Sequence, residues 1–204
     1  PATRPADADQ TTQVLQRTAL TARLYADRIR QSTTRVQNKA TYPATRFAAD
    51  LKLLAQMIAD GLPTRVYYVS MGGFDTHSQQ ADRHARLLTE LGDGLSAFVA
   101  DLDALGHLGR TTIMTFSEFG RRVAENNSIG TDHGEAAPMF ILGGKVKVGI
   151  HGPAPDLAPG KLHRGDVPYA IDFRRVYATV LRSWLSADDR QILGNSFQPL
   201  PLFA

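Results

Sequence analysis

Apolar residues along this chain recur in helical and strand periods by turns. Phe47, Leu51, Leu54 and Ile58 lie three or four apart behind Pro43, and Gly61 ends the run, which predicts a helix buried along one face. From Gln79 to Leu108 the positions Leu88, Leu91, Leu95, Phe98, Leu102 and Leu105 keep that spacing through Gly92 and Gly94 and predict a long amphipathic helix. Asp9 to about Asn38 is helix-compatible, but Val14, Leu15, Leu20, Leu24 and Ile29 form no clean face. Phe173, Val176, Tyr177, Val180, Leu181 and Trp184 predict a last helix, with Asp172 placed to cap it. The tail Pro199 to Phe203 cannot continue a helix and is expected to run as an extended strap.

Strand signals fall between these helices. Arg65 to Ser70, centred on Val66-Tyr67-Tyr68-Val69, is bounded by Pro63 and the Gly72-Gly73 pair; Thr111 to Phe116 and Met139 to Leu142 follow, with Val146 to Ile150 as a fourth candidate. Strands separated by helical crossovers pair in parallel, so the expected fold class is α/β, a doubly wound and mainly parallel sheet behind a helical N-terminal segment. Residues 1–62 form that segment and 63–204 the α/β part, within one domain overall. Three or four strands are few for a sheet covered on both faces. The expectation is therefore an incomplete sheet, the carboxyl-terminal part of a larger domain.

Composition narrows the classes. With 204 residues and 43% hydrophobic content the chain can bury one substantial core. A net charge of +3 is dispersed among acids and forms no basic run, which argues against nucleic acid as a partner. Cysteine is absent, excluding disulfides and thiolate metal sites. No apolar stretch approaches the roughly 20 residues of a membrane span, and Pro1 to Gln10 carries no signal-peptide core.

Candidate chemistry gathers in three loops. Asp75-Thr76-His77 follows the first strand and its glycine turn, the end of a strand at which open α/β sheets bind ligands. Glu118 stands just past the second strand, followed by Arg121 and Arg122, and Asp132-His133 lies before the third. Oxygen and nitrogen donors from separated loops suit a divalent metal. Each loop also has a plainer reading. Asp75 can cap the long helix with His77 on the surface; the arginines can pair with Glu118 or hold an anionic substrate; Asp132 can fold a turn beside an incidental histidine. Recurrence across the three loops favours the metal. Thr76 and Ser117 are candidate nucleophiles, Thr76 because it lies between two proposed ligands. His84 and His107 read as structural, His151 and His163 edge a loop rich in glycine and proline, and Arg164-Gly165-Asp166 is a chance adhesion tripeptide.

The segments Gly72-Gly73-Phe74-Asp75-Thr76-His77-Ser78-Gln79-Gln80, Ser117-Glu118-Phe119-Gly120-Arg121, Gly130-Thr131-Asp132-His133-Gly134 and Asp172-Phe173-Arg174-Arg175-Val176-Tyr177 resemble the DUF1501 family, from about Thr64 to the carboxyl terminus. That bacterial group is uncharacterised, and is often labelled sulfatase-like and placed with the alkaline phosphatase-like superfamily. The resemblance implies a metal-dependent hydrolase or transferase of phosphate or sulfate esters. Asp75, His77, Glu118 and His133 would ligate divalent ions (Zn, Mn, Ca or Mg), Asp132 would be a ligand or orient an imidazole, Arg121 would hold the anion, and Thr76 is the candidate hydroxyl. It also implies departures. An amino-terminal Gly-Gly-x-Asp-Gly segment with the first acid and the nucleophile is missing, Asp75 and His77 are unusually close, and Glu118-Phe119 replaces an Asp-His. The expected partner is thus the N-terminal half of the same domain, besides a small anionic ester. Twin-arginine export signals in related members imply an extracytoplasmic or periplasmic location. A non-catalytic exported binding or assembly protein with the same fold is the alternative.

Overall fold

The computed structural model describes residues 6–204. Three helices come first: α1 (Ala6–Arg35), α2 (Arg46–Ala59) and α3 (Gln80–Ala104). Strands β1 (Thr112–Met114), β2 (Gly120–Glu125), β3 (Thr131–Gly134) and β4 (Ile141–Gly143) follow, then α4 (Phe173–Thr179), a π-helical turn at Val180–Trp184, and α5 (Asp189–Leu193).

The core lies where the periodicity predicts. Phe47, Leu51, Ala55 and Ile58 of α2 pack against Leu95, Phe98 and Leu102 of α3. Thr45 caps α2 by accepting the Ala48 amide at 3.2 Å. The two helices approach closely at Gly94, where a Cβ would stand 2.9 Å from the Phe47 ring, and this explains a glycine inside a long helix. Asp172 caps α4 through the Arg174 amide, as expected. The carboxyl-terminal strap also forms: Leu202 is buried, its carbonyl accepts from the Lys147 amide at 2.8 Å, and Phe203 stacks on Trp184.

The sheet differs from expectation. Among the described residues there is no parallel pair and no doubly wound sheet; β1 pairs antiparallel with β4, and β2 pairs antiparallel with β3. A parallel return requires a crossover of a dozen or more residues, usually helical. The chain between β1 and β4 instead folds on itself as the β2–β3 hairpin, so β4 comes back antiparallel. Val146 forms only an isolated bridge to Phe203. Residues 65–71 join no strand, yet their burial alternates with the period of one: Tyr67, Val69 and Met71 pack on the core while Val66 and Tyr68 are exposed. Alternation reports one buried face, and it is silent on whether a neighbouring strand completes the ladder. None does among the described residues. The short α5 has no counterpart in the sequence reading, because five residues carry too little periodicity to register.

One buried acid organises the helical layer. Asp101 of α3 has no exposed surface, and its carboxylate accepts from Asn38 Nδ2 (2.6 Å), the Lys39 amide (2.6 Å), the Ala40 amide (3.2 Å) and Tyr42 Oη (2.9 Å). Burial, reinforced by the hydrogen bond and charge of Asp101, pushes the Tyr42 hydroxyl well above the ordinary tyrosine range. Asp101→Ala strands four donors at once and is expected to cost about 3 kcal/mol or more, since bonds to charged acceptors contribute about 1.5–3 kcal/mol each and do not add fully. Urea unfolding by circular dichroism measures the loss; a change below about 1 kcal/mol would contradict the role assigned to this network.

Candidate metal centre

The first turn of α3 holds two loops together. Its left-handed N-cap, Gln79, carries no side-chain cap; instead the Gln79 and Gln80 amides donate to the Ser128 and Ile129 carbonyls at 3.1 and 2.9 Å. Helix-terminal donors that need an acceptor thus seize the tip of the β2–β3 hairpin. The Gln80 side-chain amide adds contacts to Thr76 Oγ1 (2.8 Å) and Thr131 Oγ1 (3.0 Å). Gly130 makes the approach possible, because a Cβ there would lie 2.4 Å from the His77 carbonyl group.

Asp75 and His77 on one loop therefore face His133 on β3. His77 Nε2 lies 2.9 Å from Asp75 Oδ1, His133 Nε2 lies 2.8 Å from the same oxygen, and the two Nε2 atoms are 3.2 Å apart. Among the described residues these three form a cluster with metal-ligand chemistry. A four-coordinate zinc with bonds near 2.0–2.1 Å spaces its ligand atoms roughly 3.3 Å apart, so the triangle is of the right size and slightly contracted. Asp132 Oδ1 sits 3.0 Å from His77 Nδ1. A carboxylate there accepts a hydrogen bond from Nδ1–H, so the proton stays on Nδ1 and the Nε2 lone pair faces the cluster, the arrangement common behind metal-bound imidazoles. The His133 ring stacks on Phe119 at 3.8 Å with planes 4° apart, which fixes its tilt.

Arg121 ties the centre together. It lies opposite His133 in the hairpin register, donates to the Thr131 carbonyl at 2.6 Å and to the Phe74 carbonyl, and stands 3.6 Å from Asp75 Oδ1. Its guanidinium also covers the Phe119 ring. Arg122 turns elsewhere, to Asp166 at 3.0 Å.

Of the residues singled out from sequence, Asp75, His77, Asp132, His133 and Arg121 come together here. Glu118 does not: it is exposed, makes no ion pair among the described residues and stands outside the three-residue cluster. Thr76 is 1% exposed, with Oγ1 bonded to Gln80, so it braces the loop from inside. Ser117 donates to the Phe119 carbonyl at 2.8 Å. Asp75 does not cap α3. His163 bonds Glu135 at 2.8 Å, and His107 accepts from Arg110 at 3.0 Å. Sequence reasoning passed over Gln80 and Asn126. An amide side chain has no signature of its own, though the Asn126 position at a hairpin tip was an available signal.

Both aspartates are held below the ordinary carboxylate range, Asp75 by its hydrogen bond to His133 and the nearby charges of His77 and Arg121, Asp132 by hydrogen bonds from Asn126 and then His77. A lowered folded-state value means these contacts stabilise the fold fully above the unfolded-state titration and are lost as pH falls through the folded value. Carboxyl carbon chemical shifts followed with pH in the metal-free chain should place both midpoints below that of a free aspartate; midpoints at or above it would contradict the geometry. Gly130→Ala should separate the hairpin tip from the Asp75 loop, read as faster amide exchange at Gln79 and Gln80.

A family model described as "Protein of unknown function (DUF1501)" matches residues 4–195. No curated protein and no solved structure shows a significant match.

Proposed function

For a chain that belongs to the DUF1501 family, we propose a divalent-cation centre on Asp75, His77 and His133 that serves hydrolysis or transfer of phosphate or sulfate esters. The observation that carries it is the convergence of one carboxylate and two imidazole nitrogens within 3.2 Å of one another, with Asp132 behind His77. Two nitrogen donors and one oxygen favour Zn or Mn over Ca or Mg.

Three protein ligands, each partly exposed, leave coordination positions open to solvent, as catalytic sites do and closed structural sites do not. A bound dication supplies Lewis acidity toward an ester oxygen and lowers the pKa of water. The protein's own residues set the stage. Asp132 keeps the His77 proton on Nδ1, Phe119 holds the His133 ring plane, and Arg121 anchors the Asp75 loop. With a dication, Arg121 and the two carboxylates in place, the centre carries net positive charge, which suits an anionic ester. Thr76 acts in this reading as a brace, since its hydroxyl is buried and bonded. The sulfatase-like kinship and the extracytoplasmic location rest on the family resemblance alone. No helix among the described residues is long and apolar enough to cross a membrane.

One observation favours a second reading, a non-catalytic binding or assembly protein: the proposed ligand atoms already lie within hydrogen-bond reach of one another, His133 Nε2 and His77 Nε2 each beside Asp75 Oδ1. Calorimetric titration with Zn and Mn separates the two when followed by assay on aryl phosphate and aryl sulfate with the N-terminal half of the domain, which by the family resemblance carries the nucleophile, supplied in the same protein. The expected result is one cation per chain, bound at least about tenfold more weakly by His77→Ala and His133→Ala, with cation-dependent ester turnover. Absence of cation binding by the wild-type chain would refute the centre. Binding without turnover of either ester would transfer support to the second reading.

A further inference from the structure

At the turn of the β2–β3 hairpin, Asn126 uses every hydrogen-bonding position of its side-chain amide. Nδ2 donates to the His77 carbonyl at 2.9 Å and to Asp132 Oδ1 at 3.2 Å, while Oδ1 accepts from the Ser128 and Gly130 amides at 2.9 and 3.1 Å. Two donors and two acceptors exhaust its capacity. The orientation of the amide is fixed by its neighbours: reversed, its oxygen would face a carbonyl and a carboxylate, and its NH2 group would face two backbone N–H groups. Its own backbone closes the turn, with the Asn126 amide donating to the Gly130 carbonyl at 2.8 Å.

These bonds link things that chain connectivity leaves apart. Asp132 reaches His77 from β3, and an exposed carboxylate has several rotamers to choose from. Asn126 touches both members of the pair, the His77 backbone and the Asp132 oxygen that receives the His77 ring. We propose that Asn126 is a positioning residue for the cation centre, which holds Asp132 against His77 Nδ1 and so selects the imidazole tautomer whose Nε2 lone pair faces Asp75 and His133. The proposal rests on the cation reading above for its purpose, while the tautomer itself can be read without any cation. Asn126 acts through Asp132 and His77 and has no contact with a substrate in this role.

The informative variant is Asn126→Asp. It keeps an acceptor for the Ser128 and Gly130 amides, and so keeps the turn, but removes both donors and sets a negative charge beside Asp132. Long-range proton–nitrogen correlation spectra of the 15N-labelled, metal-free chain report the His77 tautomer. The wild-type chain should show mainly the Nδ1–H form, and Asn126→Asp a clear loss of it. Zinc titration should then show affinity lowered about 10–100-fold, the effect usual for partners behind a metal-bound histidine, with thermal stability little changed. An unchanged tautomer and unchanged zinc affinity in Asn126→Asp would overturn the proposal. Should that variant not fold, the wild-type chain still decides: the two Asn126 side-chain protons must be slow to exchange, and exchange at the rate of a free amide would overturn it. A wild-type chain that shows the Nδ1–H tautomer and binds no zinc would support the positioning role and refute the cation centre, so the two failures are distinguishable.

Discussion

Everything at the candidate centre depends on where α3 is held, and a single buried carboxylate holds it. Asp101 gathers four donors from the connection between α1 and α2, so that the long helix cannot slide along α2 without stranding them. Apolar packing along Phe47, Leu51, Leu95 and Phe98 supplies the bulk of the burial, yet such surfaces are tolerant of small shifts. Directional bonds to a desolvated acid are not. With its carboxyl-terminal half fixed, α3 presents its first turn at one place, and the unsatisfied amides of that turn capture the hairpin tip.

From there the geometry is a chain of short polar links. Gln80 joins Thr76 to Thr131, Arg121 joins Phe74 to Thr131 and stands beside Asp75, and Asn126 joins His77 to Asp132. The cluster of Asp75, His77 and His133 is exposed, yet the groups behind it are largely committed. A site with mobile ligands would pay for ordering them on binding; here the polar links behind the ligands supply much of that ordering.

Much of the site was legible in the sequence. Acids and histidines grouped in short loops between periodic segments stand out; Asp75, His77, Asp132 and His133 were visible in that way, and Arg121 by its place after Glu118. Glu118 looked equivalent, since it too follows a strand, but the chain turns directly into β2 and leaves it facing solvent. Thr76 looked reactive because it lies between two ligands; the loop instead turns its hydroxyl inward to Gln80. Position along a loop says which residues are near each other and leaves open which way each one points. The amide of Gln80 was illegible for a related reason, because its partner Thr131 lies fifty-one residues away; Asn126 could be placed in a turn, but its partner His77, forty-nine residues away, could not be read.

The helices and the helical core were determined by the sequence itself, since a 3.6-residue period with caps at Thr45 and Asp172 is a local property. Membership of the candidate cluster was local too, up to the choice of which acids and hydroxyls take part. Strand pairing was decided only in three dimensions. An extended segment with one apolar face fits a parallel sheet, an antiparallel pair or no ladder at all, because the backbone groups that make a sheet are the same in every residue. What settled it was the path of residues 115–140, where a hairpin rather than a helix returns the chain and aims β3 at the Asp75 loop.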